Sequence, residues 1–181
     1  MGTALLVMDY QNGIVERLGT DEVLAAATAA VSAARERGIP VVFVRIAMRP
    51  GAPEAARSNK VFRQARERIG AQAPGATDVH SAFGVGDDDL VVTKLRVSAF
   101  TGSDLEVLLR GLEVRDLVLT GIATSGVVLS TLRQAADLDF GLTVLSDACV
   151  DGDPEVHRVL VEKVFPRQAE VVTVADWTAS L

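Results

Sequence analysis

Cysteine and histidine are scarce in this chain. Its 181 residues include one cysteine, Cys149, and two histidines, His80 and His157. A single cysteine excludes an internal disulfide and any metal site built from several thiolates. The two histidines are far apart in sequence and show no metal-ligand spacing. We therefore expect no metal ion and no cofactor.

Long hydrophobic runs are also absent. No apolar run approaches the roughly 18 residues that a membrane-spanning helix needs. The apolar run at residues 4–8 is too short for a signal peptide, and Asp9 follows it at once. The sequence therefore predicts a cytoplasmic protein that does not bind membranes.

Positive charge is in deficit, since 18 Lys and Arg residues stand against 24 Asp and Glu, for a net charge of −6. Non-specific nucleic-acid binding draws most of its affinity from cationic contacts to phosphate, so this balance argues against a nucleic-acid partner. The basic cluster between residues 57 and 68 also contains Glu67 and is typical of a solvated helix face. The expected partner is a small molecule.

The chain does contain a regular alternation of short β-rich runs and longer helical patterns, within a composition that is 49% hydrophobic. The runs predict strands at residues 4–8, 40–46, 90–93, 116–122, 142–146 and 170–174. Helical periodicity predicts helices at residues 21–37, 103–110, 124–138 and 154–164. This rhythm indicates one α/β domain over residues 1–181, with a mostly parallel sheet and helices on both faces.

Three chain segments end at the predicted carboxyl edge of the sheet, where open α/β sheets bind ligands. Asp9 follows the first strand, Lys94 follows the third, and residues 122–127 form a turn between the fourth strand and a helix. An acid and an amine in one pocket perturb each other's pKa and can transfer protons. Amides at a helix start can hold an anion. A helix-capping aspartate and a surface lysine are the alternative interpretation.

Four motifs in order resemble those of the isochorismatase-like hydrolases, which include nicotinamidases and N-carbamoylsarcosine amidases. They are LLVMDYQN at 5–12, TKLRVSAF at 93–100, LVLTGIATSG at 117–126 and SDA at 146–148. The resemblance implies a three-layer fold around a parallel sheet of about six strands, assembled as a homodimer or homotetramer. It also places Asp9 and Lys94 at the catalytic acid/base and lysine positions.

The same resemblance places a non-proline cis peptide between Ile122 and Ala123. With Gly126 and Val127, these residues form the turn whose amides face a developing oxyanion. The substrate pocket is assigned to Gln11, Phe100, Thr124 and Ser125. Nicotinamidases bind a divalent ion through an Asp-x-His…His arrangement. Asp78 and His80 have only the first spacing, so His80 is interpreted as a loop residue.

Val127 departs from the amidase pattern, because it occupies the position of the attacking cysteine. Valine has no nucleophilic atom, and a register shift of one residue gives Val128, so the acyl-enzyme route is closed. Three residues are considered as substitutes. Ser125 is more typical of a helix cap, Ser130 of packing or bonding to the backbone, and Cys149 of a small buried thiol.

Two functions stay open. One is a cysteine-independent hydrolase in which Asp9 protonates the substrate and Val127 forms an apolar wall. The resemblance supplies a precedent, since isochorismatases proper lack the cysteine and hydrolyse a vinyl ether. The other is a non-enzymatic descendant that binds a small molecule or a protein. A dinucleotide-binding protein is disfavoured because no G-x-G-x-x-G follows the first strand. Possible binders of substrate anions are Arg45, Arg49, Lys60 and Arg96.

Residues 49–86 are predicted to form an irregular lid. Phe62, Phe83 and Phe100 are typical either of an apolar cavity or of core packing. His157 is expected on a solvated helix face, and Trp177 is expected to pack against the last strand or an oligomer contact.

Overall fold

Six parallel strands form the centre of the protein, in the order β3-β2-β1-β4-β5-β6. The computed structural model describes residues 2–69 and 73–181. Residues 70–72, which belong to the predicted lid, lie outside the described part. The strands are β1 (Gly2–Met8), β2 (Val41–Ile46), β3 (Leu90–Lys94), β4 (Val114–Ile122), β5 (Gly141–Val150) and β6 (Glu170–Val172). The predicted parallel α/β sheet is confirmed.

Helices connect the strands and cover the sheet. They are α1 (Asn12–Leu18), α2 (Asp21–Glu36), α3 (Lys60–Ile69), α4 (Leu105–Gly111), α5 (Leu129–Asp137), α6 (Pro154–Val159) and α7 (Val174–Ala179). Two π-helical turns, Thr124–Val128 and Leu160–Val164, lead into α5 and extend α6. Short 3-10 turns occur at Ser81–Phe83 and Phe165–Arg167.

Period-two alternation along the strands divides the apolar residues between two cores. In β1, Leu6 and Met8 join one core, whereas Leu5 and Val7 join the other. Buried residues of α4 and α5 complete the first core, and those of α2 and α7 complete the second. The sheet therefore lies between two helical layers, which confirms the three-layer architecture.

The structure corrects several predicted boundaries. The strand predicted at 142–146 continues to Val150, because β5 resumes pairing with β4 after a register shift between Leu119 and Gly121. The short helices α1 and α7 were not predicted. Helix α3 lies in the predicted irregular region and matches the solvated helix face expected there, although nothing is described of the side chains of Glu67 and Arg68.

Three aromatic residues pack in apolar cores. Phe83 and Trp177, which is part of α7, are buried in the same core as α2. Phe62 forms a small separate core with Ala52 and Ala55. In residues 2–69 and 73–181, no helix has both the length and the apolar character that crossing a bilayer requires.

The turn after β4 packs closely on the sheet at Gly121. A Cβ atom there would lie 3.0 Å from the carbonyl oxygen of Met8 and 3.1 Å from methyl carbons of both Val127 and Val128. A side chain here would force these neighbouring atoms to move by a few tenths of an ångström, so β1 and the turn are closely packed at this glycine. This contact fixes the depth at which residues 127–128 sit on the sheet.

We expect Gly121→Ala to lower the free energy of unfolding by about 1–3 kcal/mol, since the added methyl group forces β1 and the turn apart. Urea unfolding followed by circular dichroism measures the loss. Gly111→Ala is the matched control, because a Cβ at that position of α4 meets nothing within 4 Å. Equal stabilities of the two variants would contradict the close contact.

Candidate active site

An ion pair between Asp9 and Lys94 lies at the carboxyl edge of the sheet. Asp9 directly follows β1 with a φ of 62°, a left-handed conformation that aspartate adopts more readily than most residues. Its amide donates to the Val44 carbonyl at 2.8 Å. Lys94 ends β3 and reaches across the end of β2, so that Nζ lies 2.9 Å from Asp9 Oδ2. The two strand ends predicted to converge do so.

Lys94 is fully engaged by this arrangement. Its side chain is 1% exposed, and Nζ also donates to the carbonyl oxygens of Arg96 and Val97, each at 3.0 Å. An ammonium group has three N–H donors, and three acceptors surround this one. Lys94 is therefore fixed as the counter-ion of Asp9, with no donor left over.

Asp9 retains one free oxygen. Oδ1 is buried and has no hydrogen-bond partner in the described part of the chain, and the side chain as a whole is 9% exposed. Burial raises the pKa of Asp9 to about 6, although the charge and hydrogen bond of Lys94 lower it. A buried acceptor without a partner is costly, so either a proton or a ligand's donor is favoured at Oδ1.

The turn between β4 and α5 begins with a cis peptide between Ile122 and Ala123. Three of its amides already donate within the protein. The Ser125 amide donates to Asp151 Oδ2 at 2.7 Å. The amides of Gly126 and Val128 turn back to the Ala123 carbonyl at 3.1 and 3.4 Å. The sequence prediction included Gly126 among the oxyanion donors, but its amide is occupied.

Val127, the residue at the predicted nucleophile position, is 2% exposed and packs in the core beneath the turn. Cys149, the only cysteine, lies on β5 opposite Gly121 and is 3% exposed. Burial raises the pKa of its thiol to about 12. The thiol is therefore protonated at neutral pH and is not a nucleophile in this environment.

Two residues assigned to the pocket are engaged elsewhere. Both amide hydrogens of Gln11 bond to the carbonyls of Ile46 and Thr77, each at 3.0 Å, and its Oε1 accepts from the Ile46 amide at 2.7 Å. Gln11 thus ties the end of β1 to the end of β2. Phe100 is buried and stacks on Phe140 with ring centroids 6.0 Å apart. Its ring belongs to the core.

The other two pocket residues, Thr124 and Ser125, lie on the turn, Thr124 buried and Ser125 exposed. Sequence reasoning missed the contact that Thr124 makes: its Oγ1 is 2.8 Å from Nδ1 of His157 on α6. The expectation of a solvated His157 is therefore wrong. Burial lowers the pKa of His157, and the Asp151 charge opposes this effect. The available signal was topological, because β5 neighbours β4 and the segment after β5 reaches the same edge.

Asp78 and His80 have local structural partners. Asp78 pairs with Arg45 at 3.3 Å, and Arg45 also donates to Thr93 at 3.2 Å. His80 Nδ1 accepts from the Ala82 amide at 3.3 Å and so caps the following 3-10 turn. Within residues 2–69 and 73–181, no three His, Cys, Asp or Glu side chains are grouped to hold a metal ion.

The remaining predicted anion binders lie in or near residues 49–86, the segment that the sequence predicts to be a lid. Arg49 pairs with Glu54, and Lys60 is exposed at the start of α3. Arg96 donates to the carbonyls of Leu95 and Glu54, and its guanidinium stacks 5.0 Å from the ring centre of Phe62. Arg96 therefore joins the segment around Glu54 and Phe62 to the loop that follows Lys94. A cavity of about 320 Å³ adjoins this junction.

The comparisons with known proteins agree with this fold. An isochorismatase domain model matches residues 3–176. The chain belongs to the isochorismatase family. A ureidoacrylate amidohydrolase of Pseudomonas syringae is 36% identical over 206 residues, covering 99% of this chain and 80% of that protein. The family protein YecD of Escherichia coli O157:H7 is 32% identical over 184 residues, covering 96% of this chain and 93% of the relative.

A solved structure of an isochorismatase family protein from Burkholderia thailandensis superposes with a TM-score of 0.90. It is 34% identical and covers 99% of this chain and 95% of its own. Sequence and structure therefore agree on membership over nearly the whole chain.

The raised pKa of Asp9 makes stability depend on pH. The folded protein binds this proton more tightly than the unfolded chain, whose carboxyl group titrates at 3.8, so stability is lost as pH rises from there through about 6. We expect the wild type to lose about 2 kcal/mol between pH 4 and pH 7 relative to Asp9→Asn, which lacks this proton.

Urea unfolding at half-unit pH steps measures the difference. Asp88→Asn, a change at an exposed carboxylate, is the matched control and is expected to keep the wild-type pH dependence. Parallel curves for the wild type and Asp9→Asn would show that Asp9 does not titrate in this window.

Proposed function

We propose that the protein hydrolyses a small metabolite that carries a carbonyl or enol-ether group, through Asp9 and Lys94 and without a cysteine nucleophile. Membership of the isochorismatase family supports hydrolysis of a small metabolite. The single observation that carries the finer proposal is the buried ion pair. Lys94 binds one oxygen of Asp9, and the other oxygen has no hydrogen-bond partner among residues 2–69 and 73–181.

In this proposal Asp9 is the general acid. With a pKa of about 6, it is protonated in roughly a tenth of molecules at neutral pH and can exchange a proton at Oδ1. Lys94 stabilises the carboxylate that remains after the proton leaves. The lysine acts through Asp9, because its three donors are already used.

For an enol ether, the proton of Asp9 adds to the terminal vinyl carbon. Water adds to the oxygen-bearing carbon and returns a proton to the Asp9 carboxylate. The hemiketal then breaks its carbon–oxygen bond, giving an alcohol and a carbonyl compound. No covalent enzyme intermediate forms, which agrees with a valine at position 127 and with the buried, protonated Cys149.

The turn after β4 contributes charge stabilisation. Ser125, Gly126 and Val128 donate their amides internally. For a carbonyl substrate, the proposal therefore assigns to the amides of Ala123 and Val127 the negative charge that develops on the carbonyl oxygen as water adds. The Val127 side chain faces the core, while its backbone belongs to the site.

A disarmed binding protein is the second candidate, favoured by the buried aliphatic side chain at position 127. It keeps the Asp9–Lys94 pair as a structural element and binds a ligand without turnover. The two candidates differ in one measurable respect, namely whether any bound metabolite is converted in a manner that depends on Asp9.

We expect hydrolysis of at least one compound in a panel of ureido acids, carbamoyl compounds, primary amides and isochorismate, measured by mass spectrometry with purified protein. Asp9→Asn is expected to lower kcat/KM by about 100-fold or more, since it removes the proton donor.

Wild-type kcat/KM is expected to fall as pH rises through about 6, because the protonated form of Asp9 is the active one.

Val127→Cys and Val127→Ala form a matched pair, since both remove the isopropyl group and only one adds a thiol. Amidase activity confined to Val127→Cys, with an inactive wild type, would favour the disarmed binder. Turnover by the wild type that survives Asp9→Asn would contradict the assigned role of Asp9.

A further inference from the structure

The segment that follows β5 holds two consecutive residues of the β4–α5 turn. Asp151 accepts the Ser125 amide at 2.7 Å through Oδ2. Six residues later, His157 Nδ1 lies 2.8 Å from Thr124 Oγ1. A carboxylate and an imidazole on one short stretch of chain thus bond to neighbouring positions immediately after the cis peptide.

The segment itself is firmly anchored. Asp153 caps the start of α6 by accepting the Glu155 amide at 2.9 Å, and Pro154 occupies the first turn. Leu160, directly after α6, is buried in the same core as Val127 and Val128. His157 therefore contacts the turn from a helix that is capped at its start and buried in the core at its end.

A hydroxyl–imidazole pair with a carboxylate nearby has the composition of a nucleophile and its base. Burial excludes that role here, because Thr124 is 0% exposed and its oxygen cannot meet a substrate. Asp151 bonds to the Ser125 amide rather than orienting the imidazole. The pair is suited to holding the backbone in place.

We propose that His157 is a positioning residue that fixes the turn through Thr124 and thereby sets the direction of the Val127 amide. Ser125, held by Asp151, is the second point of attachment. This inference rests on the proposed function for its catalytic consequence, whereas the structural consequence is measurable without any substrate.

The test is amide hydrogen exchange, read by NMR at Gly126 and Val127. Thr124→Val removes only the hydroxyl, and His157→Leu removes the imidazole nitrogens. Each is expected to raise exchange at these amides about fivefold, the effect of one hydrogen bond. The double variant is expected to match either single variant, because both remove the same interaction.

His157→Asn and His157→Gln separate a positioning role from general packing. The asparagine amide reaches the location of Nδ1, whereas the glutamine amide reaches that of Nε2. Asparagine is therefore expected to restore exchange to within about twofold of wild type, and glutamine is not. Arg158→Gln is the matched control, since it breaks the α6 ion pairs to Glu155 and Glu162 and leaves the histidine in place.

Unchanged exchange in His157→Leu would overturn the proposal. An equal increase in Arg158→Gln would overturn it as well, because it would show that loosening α6 by any means has the same effect. If a substrate is known, kcat falls in Thr124→Val and His157→Leu with KM little changed. If none is turned over, the proposed function fails, and the exchange data still decide the role of His157.

Discussion

The buried pair of Asp9 and Lys94 is the interaction on which the arrangement of this sheet edge depends. Two charged groups are removed from water, and each lowers the cost of burying the other. The strands that carry them are not neighbours, because β2 lies between β1 and β3. The lysine side chain therefore spans the end of β2, and the ends of three strands must keep their relative positions for the pair to exist.

Much of the surrounding structure meets this requirement through backbone contacts. Gln11 bonds the end of β1 to the end of β2. The carbonyl oxygens of Arg96 and Val97 accept the two remaining hydrogen bonds of the Lys94 ammonium group. On the other side, Gly121 lets the β4–α5 turn settle directly against β1. At the carboxyl end of β1 this packing leaves Asp9 Oδ1 without a hydrogen-bond partner among the described residues, and this oxygen is the atom on which the proposed function depends.

Periodicity predicted the strands, the layers and the convergence of Asp9 with Lys94, because these follow from alternating burial and the geometry of parallel strand ends. Short helices such as α1 and α7, with 7 and 6 residues, carry too few turns to give a periodic pattern. The sequence assigned Gln11 to the pocket, since an amide two residues after Asp9 suits either substrate binding or a structural contact. Topology indicates only that the segment after β5 reaches this edge. The hydrogen bond between His157 and Thr124 could not be predicted, because it depends on the exact position of α6 against the turn.

The buried state of Cys149 has a consequence for the conditions in which the protein operates. Oxidants and alkylating agents attack the thiolate, and a protonated thiol closed inside the sheet offers them neither charge nor access. The site proposed above is built on a carboxylic acid and an ammonium group, and neither group is readily modified by peroxide. Under the proposed function, hydrolysis would therefore not depend on the redox state of the surroundings, unlike that of hydrolases whose catalysis depends on a sulfur atom.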